Sequence, residues 1–142
     1  MSNLSERLAD LLNDSGLNIK TLAQNLGINA TCITHYLQGK RMPTVKSLIK
    51  IADYFNCSTD YLLGLESENP NLTFKQCPPF SEQIDAIKKH FNCKDSSFYK
   101  DTDISKSRYL DWKSGKRQPT LDNVIKIADI FECRLDFVLG RE

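Results

Sequence analysis

Neither charge is in surplus in this sequence: 19 lysines and arginines stand against 18 aspartates and glutamates. That balance excludes a disordered basic tail and any global nucleic-acid signature, so evidence for a polyanionic partner must come from local distribution. No apolar run approaches the roughly 18 residues of a membrane span. The opening MSNLSERLADLL is amphipathic with acids in its first turns, unlike a secretory signal. A soluble, cytoplasmic protein with no membrane partner is expected. The cysteines are five (Cys32, Cys57, Cys77, Cys93, Cys133), an odd number without a CxxC pair, which reads as reduced thiols rather than a disulfide or metal framework. Histidines number two, His35 and His90, and no nucleophile elbow, phosphate-binding glycine loop, HExxH or carboxylate cluster accompanies them. An enzyme is not expected. No metal, cofactor or small-molecule ligand is evident.

What is present is a duplication. GKRMPTVKSLIKIADYFNCSTDYLLG, Gly39–Gly64, returns 76 residues later as GKRQPTLDNVIKIADIFECRLDFVLG, Gly115–Gly140, with 15 of 26 positions identical. Two copies are too few for a solenoid, whose units need about three neighbours to bury their faces, so each copy is expected to be a small domain with its own core. Domains of about 65 residues bury only ~60% of their unfolded surface and are marginal alone. The divisions expected are residues 1–65, a linker over 66–79, and residues 80–142.

In the first copy Leu4, Leu8, Leu11 and Leu12 follow helical spacing up to a stop at Gly16. Asn18 caps a second helix, Ile19–Asn25, with Leu22, Ala23 and Leu26 inward, and Gly27 follows where the backbone needs positive φ. Asn29 caps a third helix, Ala30–Gln38, with Ile33 and Leu37 inward and Thr31, Thr34, His35 and Gln38 outward. Thr44 caps a fourth, striped by Val45, Leu48, Ile49, Ala52 and Phe55, and Ser58 opens a short fifth that stops at Gly64. Helix, tight glycine turn, helix is the geometry of a DNA-reading helix-turn-helix. Between Ile28 and Lys50 stand four cations, Lys40, Arg41, Lys46 and Lys50, and no acid. Such a polarised face suits a phosphate backbone, and the N-termini of the second and fourth helices add free amides.

The order LAxxLG, a threonine-rich helix, GKRxP and an AxxF…LLG ending resembles the five-helix DNA-binding domain of the Xre/Cro family of phage-repressor-like regulators, from Leu4 to about Leu65. The resemblance implies that Ala30, Thr31, Thr34 and His35 face bases in the major groove, and that Asn18, Thr21, Gln24, Gln38, Lys40, Arg41 and Lys46 meet phosphates. Threonine can exchange hydrogen bonds with base edges and touch a thymine methyl, and histidine can meet guanine acceptors. Ile19 departs from the pattern, since many relatives carry there a glutamine that braces a phosphate and the reading helix.

Residues 66–79, ESENPNLTFKQCPP, read as a polar linker strapped by Leu72 and Phe74. Beyond it Phe80, Ile84 and Ile87 replace Leu4, Leu8 and Leu11, with Ser81 as a cap. Equivalence then fails: Tyr99 stands for Ala23, Thr102 for Leu26, Asp103 for Gly27 and Asp111 for His35. An acid aimed at a groove lined by phosphates is unfavourable unless it takes a cytosine amino group. Against it stand Lys106, Arg108, Lys113, Lys116 and Arg117, which with Ser107 make up the candidate DNA contacts of this half. Trp112, with Phe98, Tyr99 and Tyr109, reads as core.

The expected protein is all-α, two tandem five-helix phage-repressor-like helix-turn-helix domains, the second diverged. It is expected to be a sequence-specific binder of double-stranded DNA, a transcriptional regulator of repressor type from a phage or mobile element, bound to the nucleoid. The second domain is a dimerisation or docking module, an auxiliary grip on DNA, or a second base reader. A homodimer through it and a monomer bridging two half-sites are both open. The alternative is a protein-interaction adaptor that keeps the fold without DNA readout.

Overall fold

A computed structural model describes residues 4–69 and 73–142, all helical or irregular among those residues. The chain divides into two compact units, Met1–Phe74 and Lys75–Glu142. No helix among the described residues is long and apolar enough to cross a membrane.

The first unit holds α1 (Leu4–Ser15), α2 (Ile19–Leu26), α3 (Ala30–Leu37), α4 (Val45–Tyr54) and α5 (Thr59–Leu62). Asn18, Asn29, Thr44 and Ser58 each accept a backbone N–H from the first turn they precede, at Thr21, Thr31, Ser47 and Tyr61. Each such cap is worth about 1 kcal/mol. Leu8, Leu22, Ile33, Leu48, Ile51, Leu62 and Leu63 are wholly buried, each contributing about 1.5–3 kcal/mol relative to exposure. In α3 the inward pair is Ile33 and Tyr36, and the expected Leu37 is only half-buried. The ring of Tyr36 reaches further across the 3.6-residue face than an aliphatic side chain one position on.

The second unit holds α6 (Phe80–Phe91), a 3₁₀ turn (Asp95–Phe98), α7 (Lys106–Ser114), α8 (Leu121–Ile130) and α9 (Leu135–Leu139). The counterpart of α2 is therefore that single turn. Phe98, Tyr109 and Trp112 are buried and Tyr99 half-buried; the Tyr109 ring lies tilted against Phe98 (centroids 4.9 Å apart) and Tyr99, and Trp112 meets Phe80 edge-on. The expected Ser81 cap is not formed: α6 begins two residues earlier than that cap would set, at Phe80 after Pro79, without a side-chain cap. Proline's fixed φ already starts the turn, so the serine falls inside it.

The ends of the 66–79 segment are folded onto their units. Glu66 accepts from Ser58 Oγ (3.2 Å) and Asn69 Oδ1 accepts from Ser58 N (3.1 Å), while Lys75 N donates to Arg141 O (2.7 Å). Leu72, expected as a strap, lies outside the described residues; Phe74 is half-buried. Two buried aspartates, Asp60 and Asp136, hold equivalent repeat positions. Asp136 pairs with the equally buried Arg141 at 2.6 Å. None of the five cysteines is in a disulfide, and Cys57 is buried.

Candidate nucleic-acid interface

The geometry begins with Gly27. At φ 68° it closes α2, and the N–H of Ile28 returns to Ala23 O (3.1 Å). A left-handed residue here is inexpensive only for glycine. The chain re-enters helix at Asn29, which turns Ile33 and Tyr36 into the core. The opposite side of α3 is thereby outward: Ala30 and Thr31 are exposed, Thr34 and His35 half-exposed. Thr34 Oγ1 donates back to Ala30 O (3.1 Å). Its donor is used within the helix, leaving lone pairs and a methyl outward.

Beside this face runs a groove lined by Gly27, Ile28, Cys32, Tyr36, Arg41, Met42, Thr44, Lys46, Ser47 and Lys50. It carries three of the four cations and no acid. Arg41 Nη1 leans on Cys32 Sγ (3.7 Å), so the guanidinium sits at the edge of α3. Lys40, Lys46 and Lys50 have no acidic partner among the described residues. A second recess, lined by Lys20, Ala23, Gln24, Gly27, Ile28, Asn29 and Ala30, brings Gln24 beside the start of α3. Of the expected phosphate contacts, Gln24, Arg41 and Lys46 thus converge on the flanks of α3, and the exposed Lys40 and Gln38 follow its end. Asn18 and the half-buried Thr21 open α2 and line neither recess. Asn18 Oδ1 is occupied as the cap (2.8 Å), which leaves its amide N–H groups to donate. Lys50 and Lys20 were not among the expected contacts. The run of uninterrupted positive charge signals Lys50, and nothing in the pattern signals Lys20.

In the second unit Lys106, Ser107, Arg108, Lys113, Lys116 and Arg117 are all exposed, but their charge is spent differently. Lys113 pairs with Asp95 (2.9 Å) and Arg117 with Asp111 (3.6 Å). Asp95 also takes Lys88 (2.7 Å) and the buried Tyr109 hydroxyl (2.6 Å). These hydrogen bonds, Lys88 first, hold the Asp95 carboxyl well below the usual carboxylate range. Burial, and then the bond to Asp95, push the Tyr109 phenol well above its own. Lys126 pairs with Asp103 (3.8 Å). Ser105 caps α7 by accepting Arg108 N (3.1 Å).

A helix-turn-helix family model matches the chain twice, over residues 8–62 and 87–138. The chain is similar to the HTH-type transcriptional regulator ImmR of Bacillus subtilis strain 168, 34% identical over 62 residues, 44% of this chain and 49% of that protein. It is also similar to the HTH-type transcriptional regulator AnsR of the same strain, 44% identical over 39 residues, 28% of this chain and 34% of that one. The chain therefore spans about half the length of the first and a third of the second. A crystal structure of a transcriptional regulator from Listeria innocua aligns over 92% of this chain and 96% of that one, at 18% identity and a TM-score of 0.44.

Proposed function

The chain belongs to the Xre/Cro-like helix-turn-helix family matched in both its halves, and we propose that it is a sequence-specific transcriptional regulator that reads double-stranded DNA with α3. The observation that carries this reading is the outward face of α3, acid-free and largely polar, flanked by a groove whose cations have no acidic partner among the described residues. Ala30, Thr31, Thr34 and His35 are the base-facing set. Thr31 offers donor, acceptor and methyl, Thr34 acceptor and methyl, and His35 a ring nitrogen suited to guanine N7 or O6. Lys40, Arg41 and Lys46 neutralise phosphates, with Gln24 and Gln38 as neutral donors. Asn18 and Thr21 lie beside the first-turn amides of α2, where a phosphate meets both N–H groups and the helix dipole. These contacts set register; the α3 side chains set sequence.

Repression is the action this equipment suits, because occupancy of a promoter-overlapping site requires nothing beyond DNA affinity. A phage or mobile-element origin, and residence on the nucleoid, go with that reading. The half-buried rings of Phe91, Phe131 and Phe137, with exposed His90 against them, favour a protein contact in the second unit. A homodimer formed there would suit a palindromic site, whose half-sites lie about one DNA turn apart. Light scattering at micromolar concentration separates it from a monomer.

The test is fluorescence anisotropy of the full chain on a random duplex of about 30 base pairs, roughly three helical turns, across a salt series. A log–log slope of several units, at about −0.9 per neutralised phosphate, is expected. Lys40→Ala should reduce it by about one and weaken all duplexes alike. Absence of binding at low salt would refute the reading in favour of an adaptor that keeps the fold without DNA.

A further inference from the structure

The face of α7 carries more positive charge than its own unit uses. Three of the acids near it are taken up internally, Asp95 by Lys88, Lys113 and Tyr109, Asp103 by Lys126 and Asp111 by Arg117, which leaves the exposed Asp85 and Asp101. What remains outward is Lys100, Lys106, Arg108 and Lys116, all exposed and without a side-chain partner among the described residues. Lys106 and Arg108 sit on the first turn of α7, a nine-residue helix whose cap engages the amide of Arg108 and leaves those of Lys106 and Ser107 outward. Lys106 and Arg108, two positions apart, therefore flank the outward side of this first turn, one on either side of the positive end of the helix.

We propose that this surface binds the phosphate backbone of duplex DNA without reading bases, as a clamp that follows the first unit onto its site. The inference rests on the first unit's being the base reader. Two observations argue against base readout by α7 itself. The positions equivalent to Ala30, Thr31, Thr34 and His35 are Lys106, Ser107, Leu110 and Asp111. Leu110 has nothing to hydrogen-bond with, and the Asp111 carboxylate is drawn aside to Arg117. The helix that in a helix-turn-helix crosses the backbone and sets the angle of the reading helix is here a 3₁₀ turn without a side-chain cap. Phosphate binding needs neither, only free cations facing a dense line of negative charge, about one per 1.7 Å of duplex. Tethering strengthens the contact further. Once the first unit is bound, the second meets the same duplex at an effective concentration of about millimolar, so a weak sequence-blind grip is enough.

The test compares the full chain with its Lys106→Ala/Arg108→Ala/Lys116→Ala variant on random duplex and on a duplex selected by the wild type. Circular dichroism melts would establish equal folding, and Lys106→Glu provides a second variant. The clamp predicts binding about tenfold or more weaker on both duplexes at low salt, a salt slope smaller by about two to three, and unchanged base preferences. A wild-type slope of several units that the triple variant leaves untouched overturns the clamp and spares the first-unit reading. A wild type that binds no duplex removes both. Altered base preferences in the variant would make α7 a reader and overturn the proposal. So would polyglutamate competing for the wild type as well as random duplex at equal charge, which would point to an acidic protein partner.

Discussion

Residues 19–26 form a two-turn helix in the first unit, while their counterparts 95–102 form one 3₁₀ turn and a loop. Three changes account for the difference. Asn18, whose carboxamide caps α2, becomes Lys94, which makes no cap bond. Ala23, buried at 6% exposure where helices approach closely, becomes Tyr99, whose ring lies half-buried against Tyr109 with centroids 5.5 Å apart. The left-handed residue moves two places upstream, from Gly27 (φ 68°) to Asp101 (φ 58°). Asp95 then fastens the shortened turn to α6 through Lys88 and to α7 through Lys113 and Tyr109. The lesson is that the second helix of the motif and the helix before it are separable. α7 keeps its cap, its buried Tyr109 and Trp112, and its place before the conserved-by-duplication GKR segment, though the helix preceding it is gone.

The largest expected effect concerns how tightly each unit is closed at a glycine. A Cβ on Gly140, at φ 84°, would lie 2.6 Å from Pro78 Cδ and 2.8 Å from Gln83 Oε1, whereas one on Gly27, at φ 68°, meets nothing within 4 Å. Gly140→Ala should cost about 2–4 kcal/mol, overpacking added to left-handed strain, and Gly27→Ala about 1–2 from strain alone. Chemical denaturation of the two variants measures the contrast. Equal costs would mean that Pro78 and Gln83 yield without penalty.

Next is the Asp95 anchor. Asp95→Asn removes the ion pairs and weakens the acceptor for the buried Tyr109 hydroxyl, so a loss of about 1–3 kcal/mol is expected at neutral pH. Its exposed pairs contribute the smaller part. The folded carboxyl titrates below its unfolded value of about 3.9, so its contribution is present above that pH and disappears as pH falls through the folded value. Melting of the second unit should therefore drop below about pH 4, and Asp95→Asn should flatten that drop. An unchanged acid limb in the variant would show that Asp95 does not set the pH dependence.

For recognition, the equivalent pair is His35 and Asp111. His35→Ala should cost about 1–3 kcal/mol at one base position and little elsewhere. Asp111→Ala should leave base preferences as they are and slightly tighten binding on every duplex, because Arg117 is released. Competitive selection on randomised duplexes reads both. A position-specific change from Asp111→Ala would show two readers in one chain.

Much of this architecture was legible in the residues, and the exceptions have a common cause. The caps at Asn18, Asn29, Thr44 and Ser58 and the glycine turn at Gly27 depend on neighbours within four residues, and the pattern exposes them. Ile51, buried and absent from the expected stripe of α4, and Tyr36 were missed because facing elements decide how wide the inward stripe becomes. Buried Asp136 was not anticipated, since no helical period marks an acid whose partner, Arg141, lies beyond the helix. At the candidate site the exposed α3 face and its cations followed from spacing and charge. The internal use of Asp95 and Asp103 did not: their partners Lys88 and Lys126 are on other elements, and even for Asp111 and its near neighbour Arg117, charge counted along the chain cannot assign pairs in space. Asp111 on its own argued against DNA; its pairing with Arg117 removes that objection.

The smallest expected effect isolates the cap itself. If the second unit lost its α2 counterpart partly through Asn18's replacement by lysine, the two positions should respond unequally to the same truncation. Asn18→Ala removes an acceptor from the Thr21 amide at 2.8 Å and should cost about 1 kcal/mol. Lys94→Ala removes an exposed side chain that caps nothing and should change stability by less than about 0.5 kcal/mol. Because Asn18 also lies beside the first-turn amides of α2, Asn18→Ala should weaken DNA binding equally on all sequences, through a less ordered phosphate site. Denaturation midpoints separate the two stability effects, and anisotropy reads the third. Should Asn18→Ala be as silent as Lys94→Ala in denaturation, the burial of Leu22 and Leu26 alone would hold α2. The loss of helix in the second unit would then trace to Tyr99 and Thr102 at the core-facing positions.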